Sequence, residues 1–301
     1  MPTRRREIVI IVHGERAGQP ELRHVVDWVR EKGHRVRVLV TFEAGDAARF
    51  ANAAAGEQVD AIVAAGGDGT VNEVVNGLGE TSVPLGILPI GTANDFAKQI
   101  GVPADMDHAM DVILRRRPVT IDTAQLNDRR FINVSSGGAG AEVTAETPAA
   151  SKRMLGKMAY AVSGMRKLRE LEPHHAVFSG PGFRHECDFL IFAVGNGRIT
   201  GGGTMLTPRA RVNDGLLDLC IVEAMPTAEL AGLVLRLRTG EHLDHEKVRY
   251  VQLPRITVEA THPVAVNVDG EPQELTTFAY RCRPGDLRIF LPHLPGEQAE
   301  D

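Results

Sequence analysis

The chain has 301 residues, of which 43% are hydrophobic and 24% charged, and a formal net charge of −5. That length suits two domains of ordinary size, and the composition is that of a folded globular protein, which excludes a lone small module and a disordered chain. The negative balance supplies no general attraction to nucleic acid, so any anionic surface would have to meet a local basic patch.

Met1–Val12 sets a basic start before an apolar run. The run Ile8–Val12 is shorter than the hydrophobic region of a secretion signal and no small-residue cleavage site follows, so it reads as a buried first strand. Pro20–Lys32 places Leu22, Val25, Val26 and Val29 on one helical face and stops at Gly33. Val36–Val40 is a β-branched strand, Asp46–Ala55 an Ala-rich helix, Asp60–Ala65 a buried strand, Val71–Leu78 a short helix and Leu85–Ile90 a strand. Met106–Leu114 closes the series as an amphipathic helix. Strands separated by helices imply parallel pairing, hence a doubly wound α/β domain over residues 1–122.

After Asp122 the segments become short, alternating and divided by Gly, Pro, Asn and Asp: Leu216–Val222, Arg255–Glu259, Val264–Val268, Thr277–Cys282 and Leu287–Leu291. They predict a mainly antiparallel, β-rich second domain over 123–285, interrupted by helices near Ser151–Leu171 and Thr227–Arg238. The first of these is basic, with an apolar stripe of Met154, Met158, Val162 and Met165. Such a helix suits a core face with solvated Lys and Arg opposite, or an anionic bilayer surface. Cys187, Cys220 and Cys282 are odd in number and scattered, as expected of reduced thiols in cytoplasm. No stretch approaches the roughly 18 apolar residues of a spanning helix.

Two loops carry the chemistry. Gly66-Gly67-Asp68-Gly69-Thr70 follows a strand and opens a helix, so glycines allow close backbone approach while free amides at the helix start face a phosphate. A carboxylate beside polyphosphate repels it unless a divalent cation intervenes, so Asp68 points to a Mg²⁺-linked triphosphate. Gly91-Thr92-Ala93-Asn94-Asp95-Phe96 repeats the pattern after the next strand, and in a doubly wound sheet both loops lie at carboxyl ends of strands, where ligands bind. Neither a Gly-x-x-x-x-Gly-Lys-Ser/Thr loop nor an N-terminal Gly-x-Gly-x-x-Gly turn is present, which disfavours a nicotinamide-dependent oxidoreductase.

These loops resemble the signature of the diacylglycerol kinase catalytic domain family, which sphingosine and ceramide kinases share and NAD kinases share more loosely. Gly45-Asp46-Ala47-Ala48-Arg49, Gly195-Asn196-Gly197-Arg198, Gly201-Gly202-Gly203, Asn213-Asp214-Gly215-Leu216-Leu217 and Asp269-Gly270-Glu271-Pro272 extend the likeness to the bacterial lipid kinases of that family. The resemblance implies an α/β nucleotide domain, with part of the tail, 286–301, returning to it, and a β-rich domain. It implies an ATP-dependent lipid kinase with a phosphatidylglycerol or diacylglycerol-like acceptor. It assigns the nucleotide to Thr41, Gly67, Asp68, Gly69, Thr70, Val71, Asn72, Glu73 and Thr92. A second-domain cation, Mg²⁺ or Ca²⁺, falls to the Asp214 side chain and the carbonyls of Arg211 and Leu216, and Glu271 becomes the proton acceptor.

Taken without the resemblance, Asp269 and Glu271 fit a solvated hairpin turn equally well, and Asn213-Asp214-Gly215 an ordinary turn. Where relatives often carry Asn after the first strand this chain has His13-Gly14, which leaves that loop's role open. Asp122 could brace the Asp214 site from the first domain. His242 and His245 have no evident third metal ligand, His174-His175 reads as surface, and Ser135-Ser136-Gly137-Gly138 reads as a sheet bend. A related kinase with a soluble acceptor and a non-catalytic nucleotide or lipid sensor are the alternatives. The sequence therefore predicts a cytoplasmic enzyme that meets its lipid by peripheral contact with the membrane, and no nucleic-acid partner.

Overall fold

The computed structural model describes residues 5–138 and 171–293. Gly140, Thr144 and the basic segment predicted as a helix, Leu171 excepted, lie outside these residues. The described chain forms two compact units. The first takes the chain up to Thr123, Val212–Asp214 and the chain from Arg283; the second takes Ala124–Arg211 and Gly215–Cys282.

In the first unit β1 (Glu7–Val12), β2 (Arg35–Val40), β3 (Ala61–Gly66) and β4 (Leu85–Pro89) form a parallel sheet in the order β2-β1-β3-β4. β3 and β4 are buried along their whole length, which is why they read as continuous apolar runs instead of alternating ones. α1 (Pro20–Glu31) starts with Pro at its first turn, where a missing N–H costs nothing. It buries Leu22, Val25, Val26 and Val29 with Met110 and Ile113 of α5 (Met106–Arg115) against Ile8, Ile10 and Val63. Each such aliphatic side chain contributes about 1.5–3 kcal/mol. α2 (Asp46–Ala55) and α3 (Asp68–Leu78) pack against each other, and α4 (Asp95–Gln99) is a short helix that the sequence did not mark.

In the second unit β5 (Val119–Leu126), which enters from the first, pairs with β6 (Arg129–Phe131). The rest is an antiparallel system of β7 (Val134–Gly138), β8 (His174–Gly180), β9 (Phe183–Gly195), β12 (Leu217–Glu223), β13 (Val248–Leu253), β14 (Arg255–Val268) and β15 (Glu271–Ile289), with a small ribbon of β10 (Ile199–Thr200) and β11 (Thr204–Met205). Among the described residues of this unit a helix, α6 (Thr227–Arg236), covers Cys220 and Val222 through Leu230 and Leu233. The core is an aromatic cluster in which Phe131, Phe178, Phe189, Phe192, Phe278 and Tyr280 meet mostly edge to face, at centroid distances of 5.4 to 6.5 Å. Tyr280 keeps its hydroxyl satisfied against Ser135 Oγ at 3.0 Å.

The doubly wound and antiparallel classes agree with the sequence, but two strand boundaries do not. Arg255–Glu259 and Val264–Val268 belong to one strand, β14, with an irregular register between Glu259 and Val264 that accommodates Pro263. Thr277–Cys282 and Leu287–Leu291 fall largely within one long β15 that begins at Glu271. Its Pro284-Gly285 step, with Gly285 at φ +62°, comes just after the strand passes from the second unit to the first at Arg283. Among the described residues no helix is long and apolar enough to cross a membrane.

Candidate active site

The carboxyl ends of β2, β3 and β4 carry all the residues expected to hold a nucleotide. After β3, Gly67 is extended and α3 begins at Asp68. After β4, Asn94 takes a left-handed conformation (φ +50°) that turns the chain into α4. Its side chain holds the loop by accepting from the Gly91 amide at 3.0 Å and donating to Pro89 O and Gly91 O.

The two loops press together through glycines. A Cβ on Gly91 would lie 2.3 Å from Gly67 Cα, so only glycine permits this approach. Asp68 completes the junction: its carboxylate accepts the amides of Asp95 (3.1 Å) and Phe96 (2.9 Å), satisfying donors at the start of α4 that have no partner inside the helix. Gly69 differs. A Cβ there meets no atom within 4 Å and the residue is exposed, so the fold itself does not require glycine at this position.

The other expected nucleotide residues divide. Thr41 follows β2; its amide donates to Val12 O (2.9 Å) and its hydroxyl accepts the Gly14 amide (3.2 Å). Thr92 is exposed on the second loop. Thr70, Val71 and Asn72 are buried, and Glu73 uses Oε2 to accept the amides of Gly45 and Ala47 at 3.1 and 3.2 Å. Their side chains therefore build the loop, and the Gly67–Thr70 backbone together with Thr92 is what remains open to a ligand. A separate groove near Ile90 carries Glu21, Asp105 and Asp107, which make it a poor seat for polyphosphate.

In the second unit Asp269 and Gly270, at φ +48° and +99°, form a two-residue hairpin turn between β14 and β15, the conformation for which Asp-Gly is preferred. A solvated hairpin turn, the reading the residues alone allow, would leave both acids in water. Instead the Asp269 carboxylate accepts the amides of Ile132 (2.8 Å), Asn133 (3.1 Å) and Val134 (3.2 Å), which fixes the turn against the start of β7. Glu271 alone is presented, its side chain 52% exposed and paired with Arg129 of β6. The hydrogen bond from Arg129 holds the Glu271 carboxyl below the ordinary glutamate range. Arg129 was missed by sequence reasoning, which had no signal to pair residues so far apart.

Asp214 is exposed on the turn before β12, with Gly215 at φ +73°. Next to it Val212 O accepts the Asp122 amide at 2.6 Å, while Asp122 Oδ1 accepts the Gly285 amide at 2.8 Å. Arg211 and Leu216 flank this turn along the chain. Among the described residues no three His, Cys, Asp or Glu side chains gather as a metal cluster. A set of one carboxylate and two carbonyls does not require such a cluster, so the donor chemistry fits a hard cation that keeps much of its water. His242 is fully buried, its Nε2 donating to Leu206 O at 3.3 Å, and His175 pairs with Asp188 at the surface.

Comparison with known proteins agrees with this geometry. The family model of the diacylglycerol kinase catalytic domain matches residues 7–126, and that of the YegS C-terminal NAD kinase beta sandwich-like domain matches 133–291. A "Probable lipid kinase YegS-like" protein of Yersinia enterocolitica is 39% identical over 289 residues, 94% of this chain and 96% of its own. One of the same description from Chromohalobacter salexigens is 40% identical over 290 residues, 94% and 92% of the two chains. A crystal structure from Bacillus anthracis str. Sterne, described as a "putative diacylglycerol kinase", superposes with a TM-score of 0.78 at 28% identity over 95% of both chains.

Fold and paired loops thus define a kinase, an enzyme built on the diacylglycerol kinase catalytic domain. Within that class the chain belongs to the YegS-like lipid kinase family.

Proposed function

We propose that this protein transfers the γ-phosphoryl group of ATP to the hydroxyl of a membrane lipid of the phosphatidylglycerol or diacylglycerol kind. The observation that carries the reading is Gly69: it is exposed at the start of α3 with open space around it, and a backbone that needs no glycine for its own packing is suited to one for a phosphate. The amides at the start of α3 bind the phosphates, Thr92 adds a hydroxyl, and Thr41, buried and bonded to the Gly14 amide, braces the neighbouring loop. Asp68 holds the two loops in register. A carboxylate offers about four lone-pair sites, so its two amide bonds leave capacity for a hydrated Mg²⁺ that arrives with the nucleotide. That cation, when bound, neutralises charge on the phosphates.

In the reaction the lipid oxygen attacks the γ-phosphorus as the bond to the bridging oxygen of ADP breaks. Glu271 takes the hydroxyl proton. The Arg129 pair keeps Glu271 ionised, as a proton acceptor must be, and holds it in one orientation. Asp269, engaged by three amides, keeps the turn rigid. A cation at Asp214, with the carbonyls of Arg211 and Leu216, would order that turn without touching the γ-phosphate. The enzyme works in the cytoplasm and reaches its substrate by peripheral contact.

The test is Glu271→Gln with labelled ATP and a host lipid extract, products being identified by mass spectrometry. The variant should lose lipid phosphorylation while binding Mg·ADP as before; full activity in it would remove Glu271 from the mechanism. Label appearing on NAD and not on lipid in the unaltered enzyme would replace the lipid acceptor with a soluble one.

A further inference from the structure

Among the described residues Phe42 is the most exposed large apolar side chain, at 91% of its full accessibility. Leaving a phenyl ring in water forgoes the benefit of burying it; a lone exposed apolar side chain is ordinary at a surface, and what sets Phe42 apart is what holds it. The support here is rigid. The Phe42 and Glu43 amides donate to Asp46 Oδ2 at 2.8 and 3.2 Å, Thr41 is held by Val12 and Gly14, and the Gly45 amide reaches Glu73 Oε2.

That last bond matters most, because Glu73 lies on α3, one turn beyond the phosphate loop. Phe42 thus stands on a loop fastened directly to the helix whose amides face the phosphates. β2 lies two strands from β3 in the sheet order, about 10 Å at the usual interstrand spacing. A nucleotide spans such a gap through its ribose, with its phosphates at one end and its flat base at the other. Charge also bears on the occupant: Glu43 follows Phe42 in the chain and Glu73 anchors the loop, so these carboxylates disfavour an anionic bilayer more than a neutral heterocycle, while the nearby Arg49 is paired with Asp46.

We propose that Phe42 is the stacking platform for the purine base of the nucleotide whose phosphates occupy Gly67–Thr70. This rests on the kinase reading above and adds to it the site of base recognition, since a stacking face accepts purines by surface and leaves the choice among them to other groups.

The test measures two ligands on the intact protein by titration calorimetry, Mg·ADP and Mg·tripolyphosphate, for the unaltered chain, Phe42→Ala and Phe42→Trp. Phe42→Ala should weaken ADP about tenfold or more and leave tripolyphosphate unchanged, because only the base is released. Phe42→Trp should bind ADP at least as tightly as the unaltered chain, and KM for ATP should rise in the alanine variant with kcat nearly constant. Equal ADP affinity in Phe42→Ala would overturn the proposal, as would loss of binding to anionic vesicles with ADP binding intact. Failure of the unaltered protein to bind ADP would instead overturn the kinase reading on which it rests. Because the ring is exposed, an unchanged melting temperature is the check that the alanine variant is folded.

Discussion

Gly69→Ala separates what the fold needs from what the ligand needs. The residue is the second of α3, its φ is not positive, and an added methyl meets no protein atom within 4 Å. Alanine costs less backbone entropy than glycine in a helix, so the substitution should stabilise the free protein by about 0.5 kcal/mol. At roughly 2–4 °C per kcal/mol for chains of this order, the melting temperature should rise by about 1–2 °C. The same methyl would stand where a phosphate approaches the backbone, and crowding of that kind costs about 1–3 kcal/mol, or roughly 5- to 150-fold in affinity. Thermal unfolding without nucleotide and calorimetry with Mg·ADP read the two effects on one preparation. A more stable protein that binds ADP as tightly as before would refute the phosphate assignment, because the methyl would then occupy empty solvent in both states.

Two further outcomes concern the second unit. Glu271 acts as a base only when ionised, and Arg129 holds its carboxyl low, so the acid limb of kcat/KM lies below the ordinary glutamate range. Arg129→Gln removes the partner, raises that pKa and moves the limb to higher pH, Arg129→Lys restoring part of the shift; a limb that does not move would show that another group sets it. Asp269→Ala discards an acceptor shared by three amides and puts alanine at φ +48°, which together should cost about 3 kcal/mol. The urea midpoint should fall accordingly, and Asp269→Asn, which tolerates that φ, should lose less. An unchanged midpoint in the alanine variant would mean the turn does not depend on those bonds.

The first unit was legible because its signals are local. Three apolar runs give buried parallel strands, the alternating Val36–Val40 gives the half-exposed β2 at the sheet edge, and Asp46–Ala55 is helical over the residues its composition marks. Both glycine loops declare themselves for the same reason, since glycine before a helix start is itself a statement about backbone approach. What stayed hidden depends on long-range pairing. A carboxylate at position 68 reads as a metal neighbour, and nothing in the sequence announces that the amides of Asp95 and Phe96 come to it. Arg129 and Glu271 meet only because β6 and the start of β15 are brought together by the fold. Likewise Asp269 and Glu271 look equivalent on paper, and the left-handed turn sends one into backbone amides and the other to solvent. Pro284 reads as a strand end, but β15 continues past it because the chain there passes from one unit to the other.

That passage has a consequence for how the protein is made. The parallel sheet is not finished by the first 123 residues: Ile289 pairs with Leu85 of β4, and Phe290 joins the core behind it. About 170 residues therefore leave the ribosome between Thr123 and the segment that closes this sheet, and at 5–20 residues per second that is a wait of roughly 10–30 s. During it the β4 edge is a bare strand, so the half of the enzyme that is translated first is the half completed last, and the nascent chain is most open to mispairing while its second half is still being read.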